Sequence, residues 1–411
     1  MRRIGFLVDS KLFRRDNHLF ADTPFFHFLL AFRDYCDEVV MMSRVFDLVD
    51  PAEAPYAIPD DRVRVIPLPT YPRIFNLFTH PLRFWPDINK TLRATLPDLD
   101  ALWLNYGHPV SLRALLLADQ QEHLRCFAVV RGTYDRDARL RTGGPSLVGA
   151  VASQVMRTSM AWFGNLARRR QLPCFAFGDE MYHRLQKTGL DVRLTCSSLL
   201  TDEDIATPPP PRPAIAADLL VVGRLTPEKG IDVLLDALVG LEHLDGSAVT
   251  LRIVGSGPEE ERLKAQTKHL GLEQRVFFDG HVPFGPELFA RYTSTRLVVI
   301  PSRTEGIPKA ATEAMAFGRP VIATAVGGLP EVVGSQGERG RLAPREDRDA
   351  LRATLREVLS SEETIQEMGR RARAYGREIT REGQVRAIMQ RVAPDWLAEK
   401  TDDGLLRPTP R

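Results

Sequence analysis

Short apolar runs alternate with amphipathic segments along most of this chain. In the first half, apolar runs that predict buried β-strands lie at residues 4–8, 38–42, 63–67, 101–105, 126–130 and 174–178. Residues 25–35 carry an apolar helix face, and Thr23 and Pro24 before them are typical of a helix N-cap and first helical position. This alternation predicts a parallel sheet with helices on both faces. Residues 47–97 are rich in proline, and most of that segment is predicted to be irregular.

Four consecutive prolines, Pro208 to Pro211, interrupt the pattern and predict a semi-rigid extended spacer. Beyond it the alternation restarts. Strands are predicted at residues 219–222, 249–254, 276–279, 297–300 and 320–324, the last of these taken as the final strand. Helices are predicted at residues 230–241, 259–270 and 312–317. We therefore expect two doubly wound Rossmann-like domains facing a central cleft, with ligands bound beyond the carboxyl ends of the strands.

Composition limits the class of protein. At 411 residues the chain is long enough for two domains, and 44% hydrophobic with 26% charged residues is typical of a soluble globular protein. A formal net charge of +2 argues against nucleic acid as a partner. The four cysteines show no C-x-x-C spacing and are expected to be buried thiols, with neither a disulfide framework nor a zinc site. With no apolar run near the roughly 18 residues of a spanning helix, the chain is expected in the cytoplasm.

The first candidate motif follows the strand at residues 219–222. Gly223 ends the strand, and Arg224 and Lys229 flank a loop that leads into a helix near Gly230. Two cations beside the free N–H groups of a helix N-terminus form a diphosphate site, and they stabilise charge on a departing nucleoside diphosphate. Two solvated loop cations are the alternative.

The second motif is Gly255-Ser256-Gly257-Pro258, which follows the next strand. It lacks the full G-x-G-x-x-G spacing, so a tight strand-to-helix turn remains as good an explanation as a wall of a nucleotide pocket. Gly280-His281-Val282-Pro283 ends a further strand, and its backbone is placed to contact a base.

The third motif is a pair of carboxylates, Glu305 and Glu313, eight positions apart. Glu305 follows a buried strand, and Glu313 lies one turn into an Ala-rich helix, so both are able to accept hydrogen bonds from sugar or ribose hydroxyls. Between them, the turn Gly306-Ile307-Pro308-Lys309 offers backbone N–H groups, except at Pro308. The alternative is that one glutamate is exposed and the other is structural.

The fourth motif is Gly327-Gly328, which follows the next strand. Two glycines there allow close approach by a ligand, but a simple turn explains them equally well.

Taken together in this order and spacing, the motifs closely resemble the retaining glycosyltransferases of the large family 4, which have the two-domain GT-B fold. The resemblance is dense over residues 219–333 and weak over the first 207. It implies that Arg224 and Lys229 hold the donor diphosphate, that Glu305 binds the donor sugar and that Glu313 binds the ribose. The remaining donor-binding residues that it implies are Gly223, Gly255, Val282, Gly306, Ile307, Pro308 and Lys309.

The resemblance also implies a mechanism. A sugar passes from a nucleoside-diphosphate sugar to a hydroxyl acceptor with retention, by a same-face substitution in which the leaving phosphate helps to take the acceptor proton. No cofactor and no metal are expected, because Arg224 and Lys229 supply the positive charge. Asp135-Arg136-Asp137 matches D-x-D formally, but its surroundings are basic and it does not follow the family pattern.

The first half departs from the family pattern in two places. The loop after the first strand, residues 9–18, has no glycine where relatives carry Gly-Gly, and Arg131 stands where many relatives have a histidine. An arginine cannot act as a base at neutral pH, but it can bind a sugar or an anionic acceptor. His108 at the preceding strand end is the other acceptor-side candidate, with an ordinary loop histidine as the alternative.

These departures leave two functions open. One is a glycosyltransferase acting on a glycan or a lipid-linked acceptor in surface polysaccharide assembly; the other is a catalytically degenerate GT-B protein that binds a nucleotide sugar or scaffolds a glycan assembly complex. Basic residues near Arg131, and Trp162-Phe163 with Arg168 to Arg170, suit a lipid-phosphate acceptor at the inner face of the plasma membrane, or are solvated helix residues.

The proline spacer sets the expected division of the chain: residues 1–207 form the acceptor-side domain and residues 208–383 the donor domain. The resemblance implies that a C-terminal helix at about 384–398 packs back on the first domain, and residues 399–411 are expected to form a disordered tail.

Overall fold

In the computed structural model, the chain divides into two units: unit 1 comprises residues 1–199 and 384–411, and unit 2 comprises residues 200–383. The structure describes residues 1–8, 10–16, 18–23, 25–50, 54, 56–59, 61–72, 74–130, 147–177, 179–195, 198–206, 216–305, 308–334 and 336–397, with the backbone alone for 147–153 and 179–180. The predicted proline spacer and the predicted tail at 399–411 lie outside these ranges.

Unit 1 is built on a largely parallel sheet. Its strands are β1 (Arg3–Leu7), β2 (Leu12–Arg15), β3 (His18–Ala21), β4 (Glu38–Asp47), β5 (Tyr56–Ile58), β6 (Val63–Leu68), β7 (Ala101–Asn105), β8 (Arg125–Val130), β9 (Cys174–Phe177) and β10 (Val192–Thr195). Its helices up to β10 are α1 (Phe25–Leu30), α2 (Asn76–Thr79), α3 (Pro81–Thr95), α4 (Pro109–Ala118), α5 (Leu147–Arg169) and α6 (Asp179–Gln186). Short 3-10 segments follow α1 at Ala31–Asp34 and α3 at Leu96–Asp98.

The parallel strands run in the order β10-β9-β8-β7-β1-β4, and β4 also pairs in parallel with β2 and β6. Strands β3 and β5 extend this edge in antiparallel pairing. Successive residues of β7 point to opposite faces: Ala101 and Trp103 belong to one core cluster, and Leu102 and Leu104 to the other. Because both faces of β7 are covered, all of its residues are buried and four of the five are apolar.

The last helices, α14 (Arg381–Val392) and α15 (Pro394–Leu397), bring the end of the chain onto unit 1. Val385, Met389 and Trp396 are buried in the cluster that contains Trp103. Charged pairs support this packing, since Arg125 Nη2 lies 3.0 Å from Asp395 Oδ2 and Arg391 also pairs with Asp191.

Unit 2 has an entirely parallel sheet within its described residues. Its strands are β11 (Ala217–Val222), β12 (Leu251–Val254), β13 (Val276–Gly280), β14 (Thr295–Ile300), β15 (Val321–Thr324) and β16 (Gly340–Ala343), in the sheet order β13-β12-β11-β14-β15-β16. Its helices are α7 (Ile231–Leu238), α8 (Glu260–His269), α9 (Pro286–Thr293), α10 (Lys309–Ala316), α11 (Leu329–Val333), α12 (Arg348–Leu359) and α13 (Glu362–Glu378). The predicted α/β class built on two largely parallel sheets is confirmed.

Several local predictions were wrong. Residues 9–18 were expected to form a loop, but β2 and β3 form a hairpin there. Leu12 and Ala21 are paired across this hairpin, and burial of their side chains stabilises it. The proline-rich segment 47–97 holds β5, α2 and α3 in addition to β6, which was predicted at residues 63–67. Pro81 is the first residue of α3, where its missing N–H costs nothing. The strand at residues 320–324 was expected to be the last, but β16 follows it. The four residues of β16 begin with a glycine and an arginine, which leaves only Leu342 and Ala343 as an apolar run.

Candidate functional site

The candidate site lies in unit 2, where three neighbouring strands end. Strands β12, β11 and β14 are adjacent in the sheet, and they are followed by the loop residues 255–259, 223–230 and 301–305. Because parallel strands present their carboxyl ends at one edge, these three loops lie side by side. The structure therefore brings together most of the donor-side residues that the sequence singled out.

Glycines allow the first two loops to pack backbone on backbone. A Cβ at Gly255 would lie 1.8 Å from the Gly223 carbonyl oxygen, and one at Gly257 would lie 2.3 Å from the Leu225 carbonyl oxygen. The Leu225 N–H donates to the Ser256 carbonyl at 3.0 Å. The close packing of the two loops therefore explains the Gly-x-Gly motif without a ligand. The sequence alone could not distinguish this explanation from nucleotide binding.

A third close approach joins the first loop to the loop after β14. Gly230 has φ of 62°, and a Cβ there would lie 2.0 Å from the Pro301 carbonyl oxygen. This contact holds the 3-10 turn Pro227–Lys229 against residues 301–305, and the Arg303 N–H donates to the Glu228 carbonyl at 2.8 Å.

Lys229 and Glu305 meet at this junction. Lys229 Nζ donates to Glu305 Oε1, and Ser302 Oγ donates to the same oxygen at 2.8 Å. Ser302 is buried, and its carbonyl accepts from Thr324 Oγ1 at 2.5 Å. The Glu305 side chain is only 10% exposed, so its position is fixed by a cation and a buried hydroxyl. No hydrogen bond to the other oxygen, Oε2, is made by any residue in the described part of the chain.

Arg224 differs from Lys229. Its side chain is exposed at the start of the loop, and among the described residues it has neither an ion pair nor a hydrogen-bond partner. The structure thus presents one cation already engaged with a carboxylate and one that faces solvent on the same short loop.

Arg303 fixes this loop from the other side. Its guanidinium forms a two-pronged ion pair with Asp232, donates to the Pro227 carbonyl at 2.5 Å and also pairs with Glu346. Sequence reasoning missed Arg303 and Asp232. The only signals were an arginine inside the Pro-Ser-Arg-Thr-Glu motif and an acidic residue in the first turn of the helix after Gly230.

Glu313 lies on α10 in a setting that the sequence did not reveal. Tyr292, which is fully buried, donates its hydroxyl to Glu313 Oε2 at 2.8 Å and stacks on Phe317. Burial raises the pKa of the Glu313 carboxyl, while the Tyr292 hydrogen bond and the charge of Lys309 oppose this without cancelling it. A tyrosine on the preceding helix carries no motif, so only the fold reveals this partner.

The remaining donor-side residues fall into two groups. Pro308 is the N-cap residue of α10, Lys309 is its first residue, and Val282 is half-buried beyond β13. Gly306 and Ile307 lie outside the described residues.

On the acceptor side, His108 is buried at the start of α4, where its Nδ1 accepts from the Val110 N–H at 3.2 Å. This makes it a helix cap, and the alternative of an exposed loop histidine was wrong. Arg131 and the Asp135-Arg136-Asp137 sequence lie outside the described residues.

The described residues contain no group of three or more His, Cys, Asp or Glu side chains arranged to hold a metal ion. None of their helices has both the length and the apolar character that crossing a membrane requires.

Comparison with protein families places these features in context. Residues 209–375 match the family model described as Glycosyl transferases group 1. The putative colanic acid biosynthesis glycosyltransferase WcaL of Escherichia coli strain K12 is 36% identical over 180 residues, which is 42% of this chain and 44% of the relative. Such matches span less than half the length of the curated relatives.

Solved structures match over nearly the whole chain. The lipopolysaccharide outer core galactosyltransferase WaaB superposes with a TM-score of 0.60 at 16% identity, covering 96% of this chain and 99% of that one. Anabaena Alr3699/HepE, solved in complex with UDP, gives a TM-score of 0.57 at 19% identity, covering 97% and 100%. At these identities the likeness establishes the fold, which is the predicted GT-B fold.

Proposed function

Because residues 209–375 match the group 1 glycosyltransferase model, we propose that the protein is a retaining glycosyltransferase that moves a sugar from a nucleoside-diphosphate sugar to a hydroxyl acceptor. The observation that carries the proposal is the meeting of Lys229 and Glu305 at the carboxyl ends of β11 and β14. A cation for the diphosphate and a carboxylate for the sugar then stand side by side, next to the bond that breaks.

In this proposal the two cations of the first loop bind the diphosphate. Lys229 is held in place by Glu305, and Arg224 is exposed and able to turn toward an anion. Both would stabilise the negative charge that grows on the leaving diphosphate, the contribution for which many transferases use a metal ion. The proposed reaction therefore uses no metal and no cofactor.

Glu305 is proposed to position the donor sugar. Its Oε1 already accepts from Lys229 and Ser302, which lowers the electron density available for nucleophilic attack. Its Oε2 is the oxygen proposed to accept from a sugar hydroxyl. This supports a same-face substitution in which the leaving phosphate takes the acceptor proton and the enzyme supplies no covalent nucleophile.

Glu313 is proposed to bind the ribose hydroxyls, with Tyr292 fixing one of its oxygens. Gly223, Gly255 and Val282 would line the nucleotide pocket, and Gly306, Ile307 and Lys309 would offer backbone N–H groups to the sugar. The acceptor is proposed to be a glycan or a lipid-linked glycan of surface polysaccharide assembly, met at the cytoplasmic face of a membrane, with His108 and Arg131 on the acceptor side.

A donor screen tests the proposal. The full chain would be incubated with UDP-, GDP- and ADP-linked sugars and followed by thermal shift, since a ligand that binds the native state raises the apparent Tm. The UDP-linked sugars are tested first, because Alr3699/HepE was solved with UDP. Release of the nucleoside diphosphate is then measured for donors that bind, with Lys264→Ala, an exposed lysine of α8, as the matched control for Lys229→Ala.

The hairpin β2–β3 favours a second candidate function. It stands where relatives of the resembled family carry a glycine loop near the donor phosphate, so a non-catalytic protein that binds a nucleotide sugar, or scaffolds a glycan assembly complex, is the alternative. A protein that shifts its Tm with a nucleotide sugar but releases no nucleoside diphosphate with any acceptor would favour this alternative.

A further inference from the structure

Unit 1 contains an apolar groove far from any residue in the donor motifs along the sequence. It has a volume of about 400 Å³ and lies among α2, α3, α4 and α5. Its apolar lining is formed by Phe78, Trp85, Leu112, Leu116, Val155 and Trp162. We call these residues together with Leu82 the groove surface.

The rim of this groove exposes large apolar side chains. Leu82 is 91% exposed, Trp162 is 65% exposed, and Phe78 and Leu116 are each about two-fifths exposed. Leu82 and Trp85 are three positions apart on α3, so they share one helix face. Contiguous exposed apolar patches are uncommon on soluble proteins unless a partner covers them.

The charge of the same helices identifies the kind of partner. Helices α2 to α5 contain seven basic residues, Arg83, Lys90, Arg93, Arg113, Arg157, Arg168 and Arg169, and one acidic residue, Asp87, which gives a net charge of +6. The whole chain has a net charge of +2, so the rest of the chain carries −4. Positive charge is thus concentrated on the helices that carry the exposed apolar side chains.

We propose that the groove surface docks on an anionic lipid bilayer. Trp162 and Leu82 enter the interfacial region, the groove accepts an apolar chain, and the basic side chains of α3 to α5 lie against lipid phosphates. An exposed tryptophan beside arginine and lysine is the combination that suits the boundary between headgroups and acyl chains. This deepens the membrane location in the proposed function, because it assigns the contact to one surface of unit 1, and it involves none of the donor-binding residues.

Vesicle co-sedimentation tests the proposal. The full chain is expected to sediment with vesicles of phosphatidylglycerol and phosphatidylcholine, to bind pure phosphatidylcholine at least 10-fold more weakly, and to be released as salt is raised. The double variant Leu82→Ser/Trp162→Ser is expected to bind anionic vesicles at least 10-fold more weakly. Leu244→Ser, which removes an 85% exposed leucine from unit 2, is the matched control and should bind as the unchanged protein does.

A charge variant separates the two contributions. Arg83→Glu/Lys90→Glu reverses two exposed charges on α3 and should remove most of the salt-sensitive binding, whereas Arg370→Glu, a 73% exposed arginine of unit 2, should not. Equal binding to neutral vesicles, or unchanged binding by either groove-surface variant, would overturn the proposal. A dimer in solution that the double variant abolishes, with no vesicle binding, would instead assign the surface to a second copy of the chain.

Fluorescence gives a readout that does not depend on sedimentation. All four tryptophans lie in unit 1, and Trp103 and Trp396 are buried. Lipids brominated in their acyl chains should quench the emission of the unchanged protein, and Trp162→Phe should lose most of that quenching while keeping its far-UV circular dichroism. Donor binding and hydrolysis in the absence of vesicles should be the same in all these variants, so that failure here is distinct from failure of the proposed reaction.

Discussion

Arg303 and Asp232 form a two-pronged ion pair in which Nη1–Oδ1 and Nη2–Oδ2 are both 2.9 Å apart. Burial raises the pKa of Asp232, but the hydrogen bonds and charge of Arg303 outweigh it and hold that pKa below its usual range. Since Arg303 also bonds to the backbone of the 3-10 turn that carries Lys229, the pair fixes the cation of the candidate site without touching the place proposed for substrate.

We expect Arg303→Ala to loosen this turn, at a cost of about 1–2 kcal/mol, because a charged hydrogen-bonded pair is lost at a partly exposed position. Amide hydrogen exchange of peptides covering residues 217–234 would measure it. Arg303→Lys keeps the positive charge but cannot form the two parallel hydrogen bonds to Asp232, so its increase in exchange should lie between those of the unchanged protein and Arg303→Ala. Arg370→Ala, from an exposed ion pair with Glu367, is the control and should leave the exchange unchanged.

The Lys229–Glu305 pair predicts that two variants will separate diphosphate binding from transfer. Lys229→Ala should weaken UDP binding by about 10- to 100-fold, because a charged hydrogen bond contributes roughly 1.5–3 kcal/mol. Glu305→Gln should bind UDP as well as or better than the unchanged protein, since Lys229 loses its competing carboxylate, but its kcat should fall about 100-fold or more. Calorimetric titration with UDP and a release assay would measure both, and a Glu305→Gln variant with weakened UDP binding would contradict the assignment.

Two glycines of unit 2 allow a test of the packed loops. Gly255→Ala places a Cβ against the Gly223 carbonyl oxygen at φ of 139°, so we expect a loss of about 3 kcal/mol or more in the free energy of unfolding. Gly240 also has a positive φ, of 71°, but a Cβ there meets nothing within 4 Å, so Gly240→Ala should cost only about 1 kcal/mol. Differential scanning calorimetry of the two variants would compare them, and equal losses would show that the loops do not need this close approach.

Glu313 gives a pH prediction. Its pKa is raised in the folded state, so the stability linked to its protonation is present below its unfolded pKa, near 4.5, and is lost as the pH rises through the folded pKa. Glu313→Gln keeps an acceptor for the Tyr292 hydroxyl and carries no charge to desolvate. Its stability relative to the unchanged protein should therefore increase as the pH is raised from about 4 and then level off.

Thermal unfolding across this pH range would measure the difference. Glu287→Gln, an exposed glutamate of α9, is the control and should show no such trend. A difference between Glu313→Gln and the unchanged protein that stays constant with pH would mean that the Glu313 carboxyl is not desolvated.

The sequence predicted the strands of unit 2 well, because strands buried on both faces are continuous apolar runs, as at Leu297–Ile300. The sequence failed to predict strands that are short or only partly buried. The strands of the β2–β3 hairpin and β16 mix polar with apolar residues, so they contain no continuous apolar run. Helix lengths were also misjudged, since the predicted helix at residues 25–35 changes to a 3-10 segment after Leu30.

Some residues of the candidate site could likewise be identified from the sequence, and others could not. Lys229, Glu305 and the Gly-x-Gly loop could be identified because motif residues cluster at strand ends. Tyr292 and Asp232 could not, because tertiary packing places them beside Glu313 and Arg303, from which they are 21 and 71 residues away along the chain. Local patterns identify which residue types are present, and only the fold determines which of them act on one another.

The return of the chain to unit 1 has a consequence for synthesis on the ribosome. The core that contains Trp103 is completed by Val385, Met389 and Trp396, which are translated after all 184 residues of unit 2 (200–383). At about 5–20 residues per second, the nascent first unit waits roughly 10–40 s with that apolar face uncovered, while the second unit has its whole sequence available before the last helices emerge. The unit that is made first is therefore the one that finishes folding last, and it is the one most in need of protection from aggregation during translation.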